Sequence, residues 1–147
     1  MNDYQEAIAA IDSVASVDDT GELQKLEAAL ATLFQLPQPE RGIETLFHLY
    51  ERFPNDDGYG AFWTVLHRLE KLPGYEPFLK ASVQRVPMEF NLRMVSRILN
   101  SSLPDTQRQE WLSLLGEVEA NPRSSENAKE QARESIEYQS ERPHKGD

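Results

Sequence analysis

The stretch NDDGYGAFWTVLHRLEKLPGYEPFLKASVQRVPMEFNLRMVSRILNSSL, residues 55–103, decides the fold class. After Asp56-Asp57-Gly58, apolar residues recur at Phe62, Val65, Leu66, Leu69 and Leu72. This is the i, i+3, i+4, i+7 spacing of one helix face. Asp56 or Asp57 is the expected N-cap, because a carboxylate there accepts a hydrogen bond from an unpaired backbone N–H. Pro73-Gly74 closes that helix and opens another, with Tyr75, Phe78, Leu79, Val83 and Val86 on its stripe. Pro77 fits the first turn, where a missing N–H is tolerated. Pro87 ends this helix. Phe90, Met94, Val95, Ile98 and Leu99 mark the next, which stops at Asn100-Ser101-Ser102. Three helices of roughly 12–15 residues are thus expected, joined by turns short enough to force antiparallel or steeply crossed neighbours.

The same punctuation extends in both directions. Tyr4, Ala7, Ile8, Ile11 and Val14 predict a first helix from about Asp3 to Ser16, followed by a turn at Val17–Gly21 with Asp19 or Thr20 as cap. Leu23, Leu26, Ala29, Leu30, Leu33 and Phe34 predict a second, ended by Pro37 and Pro39. Arg41–Phe53 predicts a strongly apolar third. Towards the C-terminus, Pro104 is expected to open a helix burying Trp111, Leu112, Leu115 and Val118. A thin stripe of Ala128, Ala132 and Ile136 predicts a final, mostly polar helix. The expected fold is all-α: seven or eight short helices in antiparallel hairpins, a HEAT-like array with an irregular bundle as the alternative. Helices two apart along the chain are spaced by about 30–35 residues, the range of helical repeats. One helical domain over residues 1–139 and a mobile polar tail over 140–147 are expected.

At 147 residues the chain can bury about 70% of its unfolded surface without a staple. It has no cysteine, which removes thiolate nucleophiles, disulfides and cysteine-based metal sites. The acidic N-terminus is no secretory signal, and no run approaches the ~18 apolar residues of a membrane span. A cytoplasmic protein is expected, with no membrane partner.

The net charge of −10 is unevenly spread. Residues 1–57 carry 12 Asp+Glu against 3 Lys+Arg, hence −9; residues 58–108 carry 4 against 7, hence +3; residues 109–147 carry 9 against 5, hence −4. An acidic first third repels phosphates and attracts a basic partner.

No catalytic constellation is legible. His48, His67 and His144 lack the His-Glu-x-x-His spacing of a zinc site. Asp18-Asp19 and Asp56-Asp57 stand at helix starts, where carboxylates complement the helix dipole. The Asp56-Asp57-Gly58 turn lacks the further oxygens of a calcium loop. Phosphate-loop, nucleophile-elbow and dinucleotide motifs are absent. No enzyme, metal or cofactor is expected. Arg68, Lys71, Lys80, Arg85, Arg93 and Arg97 form a modest basic group, too sparse in an acidic protein for nucleic acid to be the expected partner. Tyr59, Trp63, His67 and Glu70 lie outside the apolar stripe of their helix, on a second face that either completes the core or anchors a partner.

Five runs carry a resemblance: Asp57-Gly58-Tyr59-Gly60-Ala61-Phe62-Trp63, Leu66-His67-Arg68-Leu69-Glu70, Gly74-Tyr75-Glu76, Pro87-Met88-Glu89-Phe90-Asn91 and Arg97-Ile98-Leu99-Asn100. Over about 50 of the 147 residues, the chain resembles small all-helical immunity proteins of bacterial polymorphic and contact-dependent growth inhibition toxin systems. The resemblance implies a cytoplasmic antidote that binds the C-terminal domain of a cognate toxin, many of which are nucleases with basic active sites. It implies no contact residues, because such interfaces diverge with their targets. Charge and side-chain type supply the candidates. Asp18, Asp19, Glu22, Glu44, Glu51, Asp56 and Asp57 are expected to face a basic surface, with Tyr59, Trp63 or His67 as anchors. A helical scaffold or adaptor for a non-toxin partner is the alternative.

Overall fold

The structure, a computed structural model, describes residues 2–142. Eight α-helices account for most of them: α1 (Asp3–Asp12), α2 (Thr20–Gln35), α3 (Ile43–Arg52), α4 (Ala61–Glu70), α5 (Glu76–Arg85), α6 (Glu89–Leu99), α7 (Asp105–Ala120) and α8 (Glu126–Glu141). Short 3₁₀ turns at Pro39–Gly42 and Gly58–Gly60 lead into α3 and α4. The protein is all-α, with no strand among the described residues. No helix among them is long and apolar enough to cross a membrane.

The chain forms two compact units, residues 1–78 and 79–147, and the division falls inside α5. In the first unit α1 and α2 pack as a hairpin, α3 packs on α1, and α4 packs on α3. The alternating stripes explain the order. Ile11, Leu26, Leu33, Leu46, Phe47, Phe62 and Leu66 are all fully buried. In the second unit α7 and α8 form a hairpin, and α6 packs against both. Its buried residues include Phe90, Leu92, Met94, Val95, Leu99, Leu115 and Ala132.

Several helices are shorter than their spacing predicts. The three helices of the central stretch have 10, 10 and 11 residues. The first lost turn has a clear cause. Gly58, Tyr59 and Gly60 all have positive φ, at 60°, 50° and 92°, so α-helix cannot start before Ala61. Likewise α1 ends at Asp12, not Ser16. Val14 and Val17 are buried outside any helix. The Arg52 guanidinium takes up the freed carbonyls, donating to Asp12 O at 2.8 Å, Val14 O at 3.1 Å and Ile11 O at 2.9 Å. A cation there also suits the negative end of α1. Pro104 stands just before α7 rather than inside it.

Polar side chains close the second unit. Asn91 is fully buried. Its Oδ1 accepts from Met88 N at 2.8 Å, and its Nδ2 donates to Val86 O at 2.9 Å and Ser82 Oγ at 3.1 Å. One amide thus ties the end of α5 to the start of α6. Arg108 donates to Leu99 O and to Gln139 Oε1, each at 3.0 Å, and Gln139 Nε2 donates to Asn100 Oδ1 at 2.7 Å. With this network in place α8 runs two residues into the expected tail, ending at Glu141. Residues 143–147 of the expected tail lie outside the described residues.

Candidate functional site

All ten candidate contact residues belong to the first unit. Two loops hold Asp18, Asp19, Asp56 and Asp57, while Glu22 lies on α2 and Glu44 and Glu51 on α3. In the α1–α2 loop, Ser16 Oγ accepts from the backbone N–H groups of Asp18 (3.0 Å) and Asp19 (3.1 Å). Asp19 is the N-cap of α2 and accepts from Glu22 N at 3.0 Å. Glu22 is half-buried, accepts from Ala15 N at 3.3 Å and pairs with Lys25 at 3.2 Å. Asp19 and Glu22 are therefore engaged within their own loop, and the carboxylate of Asp18 is the one left to face outward.

The α3–α4 loop supplies Asp56 and Asp57. Asp57 Oδ1 accepts from Tyr59 N at 3.0 Å, which caps the Gly58–Gly60 turn. Asp56 lies near Asp18 of the other loop, close enough for the two carboxylates to act on each other. Partial desolvation, the interaction with Asp18 and the charge of Asp57 together raise the Asp56 pKa above its ordinary value of 3.8. The pair is thus a place where a cation or a donor from outside is favoured over a second bare charge.

Beside this acidic junction stands Tyr59. Its φ of 50° and ψ of 43° place a non-glycine residue in the left-handed region, and 76% of it is exposed. Such backbone conformations carry a cost of order 1–3 kcal/mol and cluster at functional positions. Glycine on each side makes the turn feasible, since both neighbours also need positive φ. The turn holds an aromatic side chain out of the core.

Trp63 is half-buried on α4 and His67 is exposed one turn further on; their ring centroids are 6.2 Å apart. Glu44 is exposed and Glu51 half-buried, both on α3. Among the described residues neither Glu44 nor His67 hydrogen-bonds to the acidic junction. The structure thus brings Asp18, Asp56 and Asp57 together next to Tyr59, and leaves Glu44 and Glu51 on α3.

A groove that sequence spacing did not reveal runs between α2 and the Tyr59 turn with α4. Its volume is about 540 Å³, and its lining includes Glu27, Leu30, Phe34, Tyr59, Thr64 and Arg68. Arg68 lies over the Phe34 ring, 5.2 Å from its centroid. Phe34 reads in the sequence as one more core residue of α2, yet it is only half-buried. The Gly-Tyr-Gly triplet was the available signal, because two glycines around a tyrosine mark a turn that cannot bury it.

No family model, curated protein or solved structure matches the chain.

Among the described residues no group of three or more His, Asp or Glu is placed to hold a metal ion. Arg93, from the basic group, lies 3.9 Å from Glu89. The first unit presents an acidic junction, an exposed ring and a groove.

Proposed function

We propose that the protein works by binding, as a stoichiometric inhibitor that covers a basic surface of a partner protein. The immunity class that the sequence resembles is the specific form of this function, with a toxin domain as the partner. The observation that carries it is the junction of Asp18 and Asp56, with Asp57 adjacent and Tyr59 exposed beside it. A lysine or arginine inserted there would relieve the repulsion between the two carboxylates. Tyrosine next to such a charge pair is a typical interface anchor, offering a large apolar ring and a polar tip at low entropic cost. The acidic charge of residues 1–57 would steer a basic partner towards this unit.

Co-expression tests this function. The chain is produced together with the C-terminal toxin domain encoded immediately upstream of its gene. Growth is expected to be restored by the wild-type chain. An Asp18→Asn, Asp56→Asn, Tyr59→Ala variant that still folds is expected to protect less. Equal growth arrest with and without the wild-type chain, both proteins being soluble, would refute the antidote function.

A further inference from the structure

We propose that Arg52 is the positioning residue of the acidic junction: its side chain ties the start of the loop that carries Asp18 to the start of the loop that carries Asp56. What this means for a partner rests on the binding function proposed above. The tie itself is a property of the free chain.

Arg52 is the last residue of α3. Its guanidinium donates to Ile11 O at 2.9 Å, Asp12 O at 2.8 Å and Val14 O at 3.1 Å. The first two are closing carbonyls of α1, and the third belongs to a buried residue of the loop that follows. A planar fork on three acceptors sets direction as well as distance, which a point charge does not.

Each end of this tie carries forward to a carboxylate. Val14 precedes Asp18 by four residues, and the backbone between them is held in place. Ala15 N donates to Glu22 Oε1 at 3.3 Å, Val17 is buried, and Ser16 Oγ accepts from Asp18 N at 3.0 Å. Arg52 likewise precedes Asp56 by four residues. Phe53 N donates to Tyr50 O and Asp56 N donates to Phe53 O, each at 3.2 Å. Asp18 and Asp56 therefore stand at equal, short chain separations from the two ends of one side-chain contact. Their mutual repulsion opposes this approach, and the tie holds against it. The tie does not neutralise them, because the Arg52 bonds go to carbonyls. The other two cations of residues 1–57 are engaged elsewhere, Lys25 with Glu22 and Arg41 over the Tyr4 ring. The two carboxylates are brought together and left for a cation from outside.

Two measurements on the full chain test this. The chain has no cysteine, so Ala15→Cys, Asn55→Cys places one spin label on each loop, both at exposed positions. Electron spin resonance is expected to give one narrow distance distribution, which Arg52→Met broadens or moves to longer distance. Carboxyl NMR titration of the unlabelled chain is the second readout. The charges acting on Asp56 are those of Asp18 and Asp57. Loss of the Arg52 cation by itself would push the Asp56 pKa up. Separation of the loops instead removes the influence of Asp18, so in Arg52→Met the Asp56 pKa is expected to fall towards 3.8, and adding Asp18→Asn should move it no further. Arg52→Lys keeps the cation without the fork and is expected to show the same changes to a smaller degree. An Arg52→Met chain that loses stability but keeps the wild-type label distance and the wild-type response of Asp56 to Asp18→Asn would overturn the proposal. If Arg52→Met does not fold, an Arg52→Lys chain with those two wild-type readouts would overturn it equally. Failure of the binding function would instead show as absent protection by a chain in which both readouts follow the proposal.

Discussion

The Tyr50 hydroxyl on α3 donates a 2.8 Å hydrogen bond to the Phe62 carbonyl in the first turn of α4. The two rings also meet edge to face, with centroids 5.0 Å apart. Both residues are fully buried. The Asp56–Gly60 turn is strung between these two helices, so this one contact fixes the base from which Asp56 and Tyr59 project.

Removing that hydroxyl is therefore expected to be felt twice. Tyr50→Phe removes one buried hydrogen bond while the Phe62 carbonyl keeps its partner within α4, and should lower stability by about 0.5–1.5 kcal/mol in denaturant unfolding. Burial, and then the charge of Glu70, raise the Tyr50 pKa well above its ordinary value. A raised folded-state pKa stabilises below the unfolded value, and that contribution is lost as pH rises. Wild-type stability should thus fall above about pH 10, and more steeply than that of the Phe variant.

The acidic junction gives a pH prediction of the same sign. The Asp56 pKa is raised in the folded protein. Its protonated form contributes stability that is fully present below the ordinary value of 3.8 and is lost as pH rises through the raised one. Carboxyl NMR titration should find Asp56 above the ordinary aspartate range. In Asp18→Asn its pKa should move down, because the Asp18 charge is gone. An Asp56 that titrates normally in the wild type would dissolve the junction.

Tyr59 predicts a trade between stability and binding. Tyr59→Gly removes a side chain from a left-handed position and buries nothing less, since the ring is exposed. Stability should be unchanged or rise by up to about 1 kcal/mol, while affinity for the partner falls. Loss of more than that in a chemical melt would mean the ring supports the fold.

In the second unit, Asn91 supplies a purely structural control. Asn91→Leu removes the acceptor for Met88 N and the donor for Val86 O. It should lower stability by about 3 kcal/mol or more. Binding of the proposed partner by the folded fraction should be unchanged, because every proposed contact lies in the other unit.

How far these features were legible follows from the physics of each. Helical periodicity survives in one sequence because a stripe such as Phe62, Val65, Leu66 and Leu69 needs only local geometry. The Asp19 cap was legible for the same reason, since it bonds three residues ahead; Asp57 instead caps the Gly58–Gly60 turn, and Gly60 is the N-cap of α4. The early end of α1 was not legible, because it depends on Arg52, far along the chain, reaching back to its carbonyls. The Asp18–Asp56 contact joins two loops that only the packing of α1, α2 and α3 brings together. Arg68 read as part of a sparse basic group on a solvated face. Its stack on Phe34 depends on α2 and α4 lying side by side, which spacing along one helix does not encode. Glu44 and Glu51 were included on sign alone, and sign does not place a residue.

The most direct measurement is a calorimetric titration of the full chain into the proposed partner, the domain encoded next to its gene, at low and at physiological salt. One-to-one binding is predicted, weakening by roughly tenfold or more as salt rises, with Asp18→Asn, Asp56→Asn lowering both the affinity and that salt dependence. No heat of binding at either salt concentration, with both proteins folded, would contradict the account.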